Sequence, residues 1–210
     1  MTSMKQDTPY RTRPGTERAR ELLCFQDVLP PSSPTRFVLY EAFGGVGMVA
    51  SLLLERFPNI QVESAELDRE CVETYRAANP SPRAAVFHGD TNDLLDLLES
   101  FQAASLDYNK CTLRDLQDPS SFQSLLLARV VGHAPDWIQI TNSAIGKLHL
   151  NWRSYGIQSY QSRDQAQGEY EQKLSDLLEQ RHGYRLSVSS NHSAASYHLA
   201  VPSRGKGKPS

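Results

Sequence analysis

Short apolar runs and longer amphipathic stretches alternate along this chain. The short runs predict strands, and they cover residues 36–41, 61–68, 84–90, 104–108, 136–142, 184–189 and 195–201. The amphipathic stretches predict helices, and they cover residues 48–56, 69–79, 91–101, 118–132 and 170–182. Strands that alternate with helices favour a parallel sheet covered on both faces, and the last two strands favour an antiparallel hairpin. The pattern therefore predicts an α/β protein.

Signals at the helix ends refine these boundaries. Asp68 is suited to cap the helix that follows it, and Pro119 favours a helix start at Asp118. Gly183 favours a helix end, and residues 190–193 favour a turn between the last two strands. The apolar positions expected to face the core are Leu94, Leu95, Leu97, Leu98, Phe101, Phe122, Leu125, Leu126, Leu127, Val130 and Val131.

Three glycines follow the first predicted strand within four positions, at Gly44, Gly45 and Gly47. They lie between a strand that ends at Glu41 and a helix that begins at Met48. Without side chains the backbone can approach a ligand closely, and a helix start offers free N–H groups. A glycine turn at this place also serves simply to pack a helix on a sheet. Together the three elements predict a cofactor-binding turn.

Acidic residues end the second and third predicted strands. Glu66 lies 19 residues after Gly47, close to the spacing of about 20 residues expected of an acid that binds a ribose hydroxyl. The alternative role for Glu66 is to cap the next helix, but Asp68 is better placed for that. Asp90 can cap a helix and also contact a ligand.

These motifs resemble those of the class I S-adenosylmethionine-dependent methyltransferases, in a style common among DNA and RNA methyltransferases. Residues 41–47 match the first motif of that family, acid-x-Phe-x-Gly-x-Gly, and the resemblance extends over about residues 37–202. It implies a Rossmann-like, doubly wound, seven-stranded and mostly parallel sheet with a C-terminal antiparallel hairpin. A nicotinamide-binding Rossmann protein is the rival interpretation, but it usually has a third glycine where this chain has Ala50.

The resemblance also implies the cofactor, S-adenosyl-L-methionine, and the residues that hold it. Glu41 and the Gly45 to Gly47 turn would face the methionine part of the cofactor, Glu66 its ribose and Asp90 its adenine. The cofactor-binding residues expected from the resemblance are Glu41, Phe43, Gly45, Gly47, Glu66, Asp90 and Asp107.

The end of the fourth predicted strand is where the resemblance places methyl transfer. Asp107, Asn109 and Lys110 are the candidate catalytic residues, with Asp107 as a general base or orienting acceptor and Lys110 as a group that holds a substrate anion. Amino-methylating DNA enzymes carry two prolines and a final aromatic here, and this chain has neither. No Pro-Cys pair follows a strand, which argues against a cysteine nucleophile. The alternative is a solvated surface.

A polar segment with several aromatic residues follows the fifth predicted strand. It contains Trp152, Arg153 and Tyr155, a composition suited to stacking on bases and holding phosphates. Together with Asn142 at the strand end, these are the candidate substrate-binding residues. The alternative is a packed surface loop whose aromatics cover the core. The histidines do not have metal-ligand spacing, so no metal site is predicted.

Composition limits the number of domains, the kinds of partner and the cellular location that we expect. The chain has 210 residues, 39% hydrophobic content and a net charge of −2, which suits one domain and provides no general attraction for nucleic acid. Three widely spaced cysteines and the lack of a signal peptide or membrane span indicate the cytoplasm. We expect a leader over residues 1–34, a methyltransferase-like domain over residues 35–202 and a basic tail over residues 203–210.

The leading hypothesis is a single-domain S-adenosylmethionine-dependent methyltransferase that acts on DNA or RNA. A small-molecule or protein methyltransferase is the second, favoured by the mild negative charge. The third is a non-catalytic relative that keeps the cofactor turn and acts as a regulatory or partner subunit. Because the chain has no insertion large enough for a target-recognition domain, the protein would recognise a short or exposed target or borrow recognition from a partner subunit. A homodimer is a further candidate assembly.

Overall fold

The computed structural model describes residues 36–108, 111–142, 152–155, 157, 161–191 and 196–203. Across these residues, one sheet contains the strands β1 (Phe37–Glu41), β2 (Ile60–Glu66), β3 (Ala84–His88), β4 (Ala103–Tyr108), β5 (Trp137–Asn142), β6 (Tyr184–Asn191) and β7 (Ser196–Pro202). The α-helices of the same residues are α1 (Met48–Arg56), α2 (Arg69–Ala78), α3 (Thr91–Leu97), α4 (Leu113–Gln117), α5 (Phe122–Gly132) and α6 (Arg163–His182). A short 3-10 helix covers Trp152–Tyr155.

The strands lie in the order β3-β2-β1-β4-β5-β7-β6. Strands β1 to β5 are parallel to their neighbours, whereas β7 runs antiparallel between β5 and β6. This arrangement confirms the predicted Rossmann-like sheet with its C-terminal hairpin. The strand order reverses at β1, which has β2 on one side and β4 on the other. Ligands of such sheets bind outside the carboxyl ends of the strands at this point, directly where the glycine turn lies.

Alternate side chains of β1 pack into two separate cores. Leu39 belongs to the core beneath α1 and α2, and Tyr40 belongs to the larger core on the opposite face. Both side chains are fully buried, and burial of a large apolar side chain stabilises a fold by about 1.5–3 kcal/mol. The two cores hold β1, and therefore the turn that follows it, from both sides.

The structure corrects the helix predicted over residues 118–132. A shorter helix, α4, precedes it and carries its own capping box. The longer helix α5 begins only after Ser121, whose side chain caps it. Pro119 lies in the connecting turn, where the Asp118 side chain accepts the backbone N–H of Ser120 at 2.9 Å. The proline therefore belongs to a turn between two helices, since the capping side chain comes after it.

Three apolar residues that were expected to face the core are exposed. Leu97 is 66% exposed at the end of α3, and on α5 Phe122 is 44% and Leu125 is 52% exposed. Helix α3 also ends at Leu97, so the buried Phe101 reaches the core from a loop. Helical periodicity identifies the apolar positions, but the neighbouring elements decide which of them are covered.

The last helix and the hairpin are longer than predicted. Helix α6 begins at Arg163 behind a Ser162 cap, and Gly183 ends it in the left-handed conformation. Strand β6 continues to Asn191, past the start of the predicted turn, and a register shift near Leu186 interrupts its pairing with β7. Such a bulge adds twist to the edge of a sheet, which a period-two pattern alone does not reveal.

The predicted leader and most of the predicted tail lie outside the described residues. The leader covers residues 1–34, and the undescribed part of the tail is residues 204–210. Among the helices that the structure describes, none combines the length and the apolar composition that a membrane crossing needs.

Candidate functional site

The glycine turn leaves β1 and enters α1 through two residues in the left-handed conformation. Gly45 has φ 52° and Gly47, which is the N-cap of α1, has φ 78°. The N–H of Gly44 donates to the carbonyl of Ala65 on β2 at 2.8 Å, and the N–H of Gly47 donates back to Gly44 at 2.9 Å. Glycine adopts this left-handed conformation without strain, which explains why glycines occupy positions 45 and 47.

The two left-handed glycines differ in what surrounds them. A Cβ atom built on Gly45 would meet no other atom within 4 Å. A Cβ atom on Gly47 would lie 2.4 Å from Nδ2 of Asn79 and 2.7 Å from the ring of Tyr75. Gly47 is therefore needed for packing against α2, whereas Gly45 faces open space. The backbone at Gly45 is the part of the turn that a ligand can approach.

Glu66 joins the glycine turn to the end of β2. One carboxylate oxygen accepts the N–H of Gly45 at 2.9 Å, and the other accepts the N–H of Asp68 at 2.8 Å. Asp68 itself caps α2 by accepting the N–H of Cys71 at 2.9 Å, which confirms the predicted cap. Because a carboxylate has about four acceptor positions, Glu66 keeps capacity for ligand hydroxyl groups.

Glu41 is a buried carboxyl group at the end of β1. It is 4% exposed and accepts a hydrogen bond from the hydroxyl of Ser64, which lies beside it in register on β2. Desolvation by burial raises the pKa of Glu41 to about 8; the Ser64 hydrogen bond opposes this rise, while the negative charges of Asp107 and Glu66 add to it. A cationic ligand placed beside this carboxyl group would favour its charged form.

Asp107 lies on the same face of the sheet as Glu41. Ser105 is the register partner of Glu41 on β4, and side chains two residues apart along a strand share a face. The Asp107 side chain is solvent-accessible, yet the protein around it desolvates the carboxyl group and raises its pKa to about 6. A carboxyl group with this pKa can accept a proton near neutral pH.

The ends of β2 and β3 meet beside the turn. The N–H of Gly89 donates to the carbonyl of Glu66 at 3.0 Å. The next residue, Asp90, caps α3 and accepts two hydrogen bonds from Asn92, at 2.7 and 2.9 Å. Leu67, which follows Glu66 and is 69% exposed, was not among the predicted site residues. The only feature of the sequence that could have singled it out is its position between Glu66 and Asp68, as one apolar residue between two acids at a strand end.

Phe43 begins a row of aromatic side chains on the other side of the turn. Its ring centroid lies 5.9 Å from that of Tyr108 at the end of β4 and 6.2 Å from that of Phe122 at the start of α5. Tyr108 is buried and donates its hydroxyl to the carbonyl of Gln123 at 2.9 Å. The half-buried Phe43 thus connects the glycine turn with the end of β4, where the candidate catalytic residues were predicted.

No protein-family model matches the sequence, and no curated protein is significantly similar to it. Solved structures share the fold. A proposed RNA methyltransferase from Pyrococcus horikoshii superposes with a TM-score of 0.60 at 11% identity, over 97% of this chain and 93% of that one. Magnesium protoporphyrin IX methyltransferase from Synechocystis, solved with S-adenosylmethionine bound, superposes with a TM-score of 0.56 at 13% identity, over 88% and 77%. The protein has the class I methyltransferase fold.

The candidate substrate-binding residues are only partly described. Trp152 is half-buried against the larger core, and the guanidinium of the exposed Arg153 lies 4.9 Å from its ring centroid. Asn142 ends β5 in register with Tyr108 of β4, which brings it to the predicted edge of the sheet. The side chains of Asn142 and Tyr155 lie outside the described residues.

Two of the three candidate catalytic residues, Asn109 and Lys110, also lie outside the described residues. The neighbouring Cys111 is described, and it is fully buried with a pKa raised by burial, so its thiol is not poised as a nucleophile. In the part of the chain that the structure describes, no cluster of His, Cys, Asp and Glu is arranged to hold a metal ion. The residues that the structure brings together are therefore those of the glycine turn and the strand-end acids.

Proposed function

We propose that this protein is an S-adenosylmethionine-dependent methyltransferase. The observation that supports this most directly is the open backbone of Gly45, hydrogen-bonded to Glu66 at the point where the strand order reverses. A glycine turn with an acid on the next strand suits a nucleoside ligand whose ribose lies against that acid. Two solved proteins of this fold carry S-adenosylmethionine or its demethylated product.

Residues at the ends of β1, β2 and β3 would each contact a different part of the cofactor. Glu66 would accept the ribose hydroxyls with the acceptor positions that Gly45 and Asp68 leave free. Leu67 would offer its exposed apolar side chain to one face of the adenine, and Asp90 would lie at the polar edge of that ring. Glu41 would face the ammonium group of the methionine part, since a buried carboxyl group is stabilised in its charged form by a nearby cation.

The cofactor would supply an electrophilic methyl group, and this chain would position the acceptor and receive its proton. Asp107 is the candidate for the proton, because its carboxyl group is accessible and has a pKa of about 6. Proton transfer by a positioned side chain contributes about 10²- to 10⁴-fold to a rate. The arrangement requires no metal ion and no covalent intermediate on the protein.

We propose a nucleic acid as the substrate, with the cytoplasm as the place of action. The proposal is supported by the phenylalanine-bearing first motif and by the Trp152 and Arg153 pair, in which a guanidinium lies over an indole ring. An aromatic ring suits stacking on bases, and a guanidinium suits contact with phosphates. A small-molecule substrate is the second candidate, since one protein of the same fold acts on a porphyrin. The missing prolines after Asp107 favour a third candidate, a non-catalytic partner subunit that binds the cofactor only.

Calorimetric titration of the full chain with S-adenosylmethionine, and separately with NAD, tests the proposal. We expect micromolar binding of S-adenosylmethionine and no binding of NAD. Binding of NAD alone would replace the methyltransferase assignment with a nicotinamide-dependent one. Binding of S-adenosylmethionine followed by methyl transfer to RNA or DNA oligonucleotides, and not to small molecules or protein, would support the nucleic-acid substrate.

A further inference from the structure

One side of helix α2 packs directly against the glycine turn. Tyr75 and Asn79 lie one helical turn apart, and both side chains are buried. The Tyr75 ring is so close to the turn that a Cβ atom would lie 3.3 Å from it at Gly44 and 2.7 Å from it at Gly47. The Tyr75 ring therefore packs directly against the backbone of the glycine turn.

Asn79 holds the same turn by hydrogen bonds. Its Nδ2 donates to the carbonyl of Gly47 at 2.8 Å, and its Oδ1 accepts the hydroxyl hydrogen bond of Ser51 at 2.7 Å. Ser51 lies in the first turn of α1, so Asn79 links the start of that helix to the end of α2. The left-handed Gly47 is thereby held from the side opposite the open space at Gly45.

The Tyr75 hydroxyl reaches past the turn into a chain of hydrogen bonds that ends at Glu41. It lies 2.8 Å from Oγ of Ser64, and Ser64 in turn donates to the carboxylate of Glu41. A serine hydroxyl has one hydrogen. If Ser64 gives that hydrogen to Glu41, Tyr75 must donate to Ser64, and all hydrogens of the chain point toward the carboxylate.

We infer that Tyr75 is a positioning residue of the cofactor site, which acts on Glu41 through Ser64 and on the glycine turn through its ring. This inference rests on the proposed function, because it assigns Glu41 to the cofactor. Among the described residues, the other titratable groups that face Glu41 are Glu66 at the end of β2 and Asp107 on β4. Both are acidic and oppose ionisation of Glu41. The charged form of Glu41 is therefore favoured by the hydroxyl groups of Ser64 and Tyr75, which donate along the chain of hydrogen bonds.

The Tyr75 hydroxyl on α2 therefore influences the pH at which Glu41 ionises and can bind a cationic ligand. Without the Tyr75 hydroxyl, the Ser64 hydroxyl is no longer oriented and polarised toward Glu41, and the charged form of Glu41 is less stable. Glu41 then ionises at a higher pH. A ligand with an ammonium group, which needs the carboxylate, binds more weakly at neutral pH.

Tyr75→Phe tests the inference, since it removes the hydroxyl and keeps the ring beneath the turn. Carbon-13 NMR of the glutamate carboxyl groups follows the titration of Glu41 in the full chain without cofactor. Calorimetry with S-adenosylmethionine between pH 6.5 and 9 follows affinity. We expect the Glu41 midpoint to rise by about 0.5 pH unit and affinity at pH 7.5 to fall about threefold, since one pH unit corresponds to a factor of ten. Ser64→Ala should shift the midpoint further.

Tyr184→Phe is the matched control. The Tyr184 hydroxyl is also buried and donates to the carbonyl of Pro135 at 2.6 Å, at the far edge of the sheet. Its loss should lower stability as Tyr75→Phe does, but leave the Glu41 titration and cofactor affinity unchanged. If Tyr75→Phe does not fold, an unchanged Glu41 midpoint in Ser64→Ala overturns the inference.

The outcomes separate this inference from the proposed function. Cofactor binding by the wild-type chain with identical titration and affinity in Tyr75→Phe overturns the inference alone. A comparable loss of affinity in Tyr184→Phe also overturns it, because the effect would then be one of general stability. A wild-type chain that binds no S-adenosylmethionine at any pH overturns the proposed function, and the role of Tyr75 toward that cofactor with it.

Discussion

The backbone N–H of Gly45 donates to the carboxylate of Glu66 at 2.9 Å, and this bond joins the turn after β1 to the end of β2. The two residues are 21 positions apart in sequence. Their contact places a carboxylate with unused acceptor positions beside Gly45, the one glycine of the described turn at which a Cβ atom would meet no other atom within 4 Å. Substitutions at Gly45, Glu41 and Asp107 test this site, and a substitution at His198 tests the packing of β7.

Gly45→Arg should remove cofactor binding while the protein remains folded. The new side chain would begin in the open space at Gly45 and fill it, and the left-handed backbone would cost about 1–2 kcal/mol of stability. Calorimetry with S-adenosylmethionine and a thermal melt measure the two effects. Gly132→Arg is the control, since Gly132 also has free space around it but lies at the end of α5. Unchanged affinity in Gly45→Arg would refute the proposed position of the cofactor.

Glu41→Gln should stabilise the free protein in alkaline solution. The pKa of Glu41 is raised from 4.5 to about 8, so the folded state keeps a proton that the unfolded state releases between these values. Stability of the wild type therefore falls as pH rises through this window. The variant should be more stable by roughly 2–4 kcal/mol at pH 8 and about equally stable near pH 4, below both pKa values, as measured by urea denaturation.

The same variant should bind S-adenosylmethionine more weakly, because it has no carboxylate for the ammonium group. Glu55→Gln is the control, as Glu55 is an exposed residue of α1 and surface changes of this kind shift stability by less than about 0.5 kcal/mol. A Glu41→Gln protein that is less stable than the wild type at pH 8 would contradict the burial of a protonated carboxyl group.

Asp107→Asn should abolish turnover and retain the affinity for S-adenosylmethionine within about threefold. An amide keeps the shape of the carboxyl group but cannot accept the proton. In the wild type, the rate should rise with pH through the pKa of Asp107, at about 6, since the ionised form is the base. Rates from single-turnover experiments and affinities from calorimetry separate the two effects. Equal loss of both would assign Asp107 a structural role.

His198→Phe should make the protein less sensitive to acid. His198 is fully buried on β7, with its Nδ1 3.0 Å from Oγ of Ser189, and burial lowers its pKa from 6.5 to about 4. Between these values the unfolded state binds a proton that the folded state does not. Wild-type stability is therefore lost as pH falls through this window, by about 2 kcal/mol at pH 5 from this group.

Phenylalanine keeps an aromatic ring beside Tyr170, whose centroid is 5.5 Å from that of His198. The difference in unfolding free energy between variant and wild type should therefore change in favour of the variant from pH 7 to pH 5. This comparison cancels the opposite contribution of Glu41, which is present in both proteins. A constant difference across that range would mean that His198 is not held neutral.

The fold class and most of the acids at the strand ends could be predicted from the order of residues along the chain. Strand and helix periodicities are local properties, and so are the left-handed glycines and the Asp68 cap, because each depends on residues a few positions apart. Glu66 could be named as a candidate ligand-binding acid from its position 19 residues after Gly47, at the end of a predicted strand. These features needed no knowledge of the side-chain contacts.

Which apolar residues are covered, and what surrounds each acid, depends on how the helices and strands pack together. Phe122 and Leu125 fit the helical pattern, but the described neighbouring elements cover each of them only in part, leaving 44% and 52% of their surfaces exposed. In the sequence Glu41 is one of several acids at strand ends, and nothing there indicates its hydrogen-bonded neighbours Ser64 and Tyr75. Burial and pKa depend on groups brought together from distant parts of the chain, so periodicity and spacing do not contain this information.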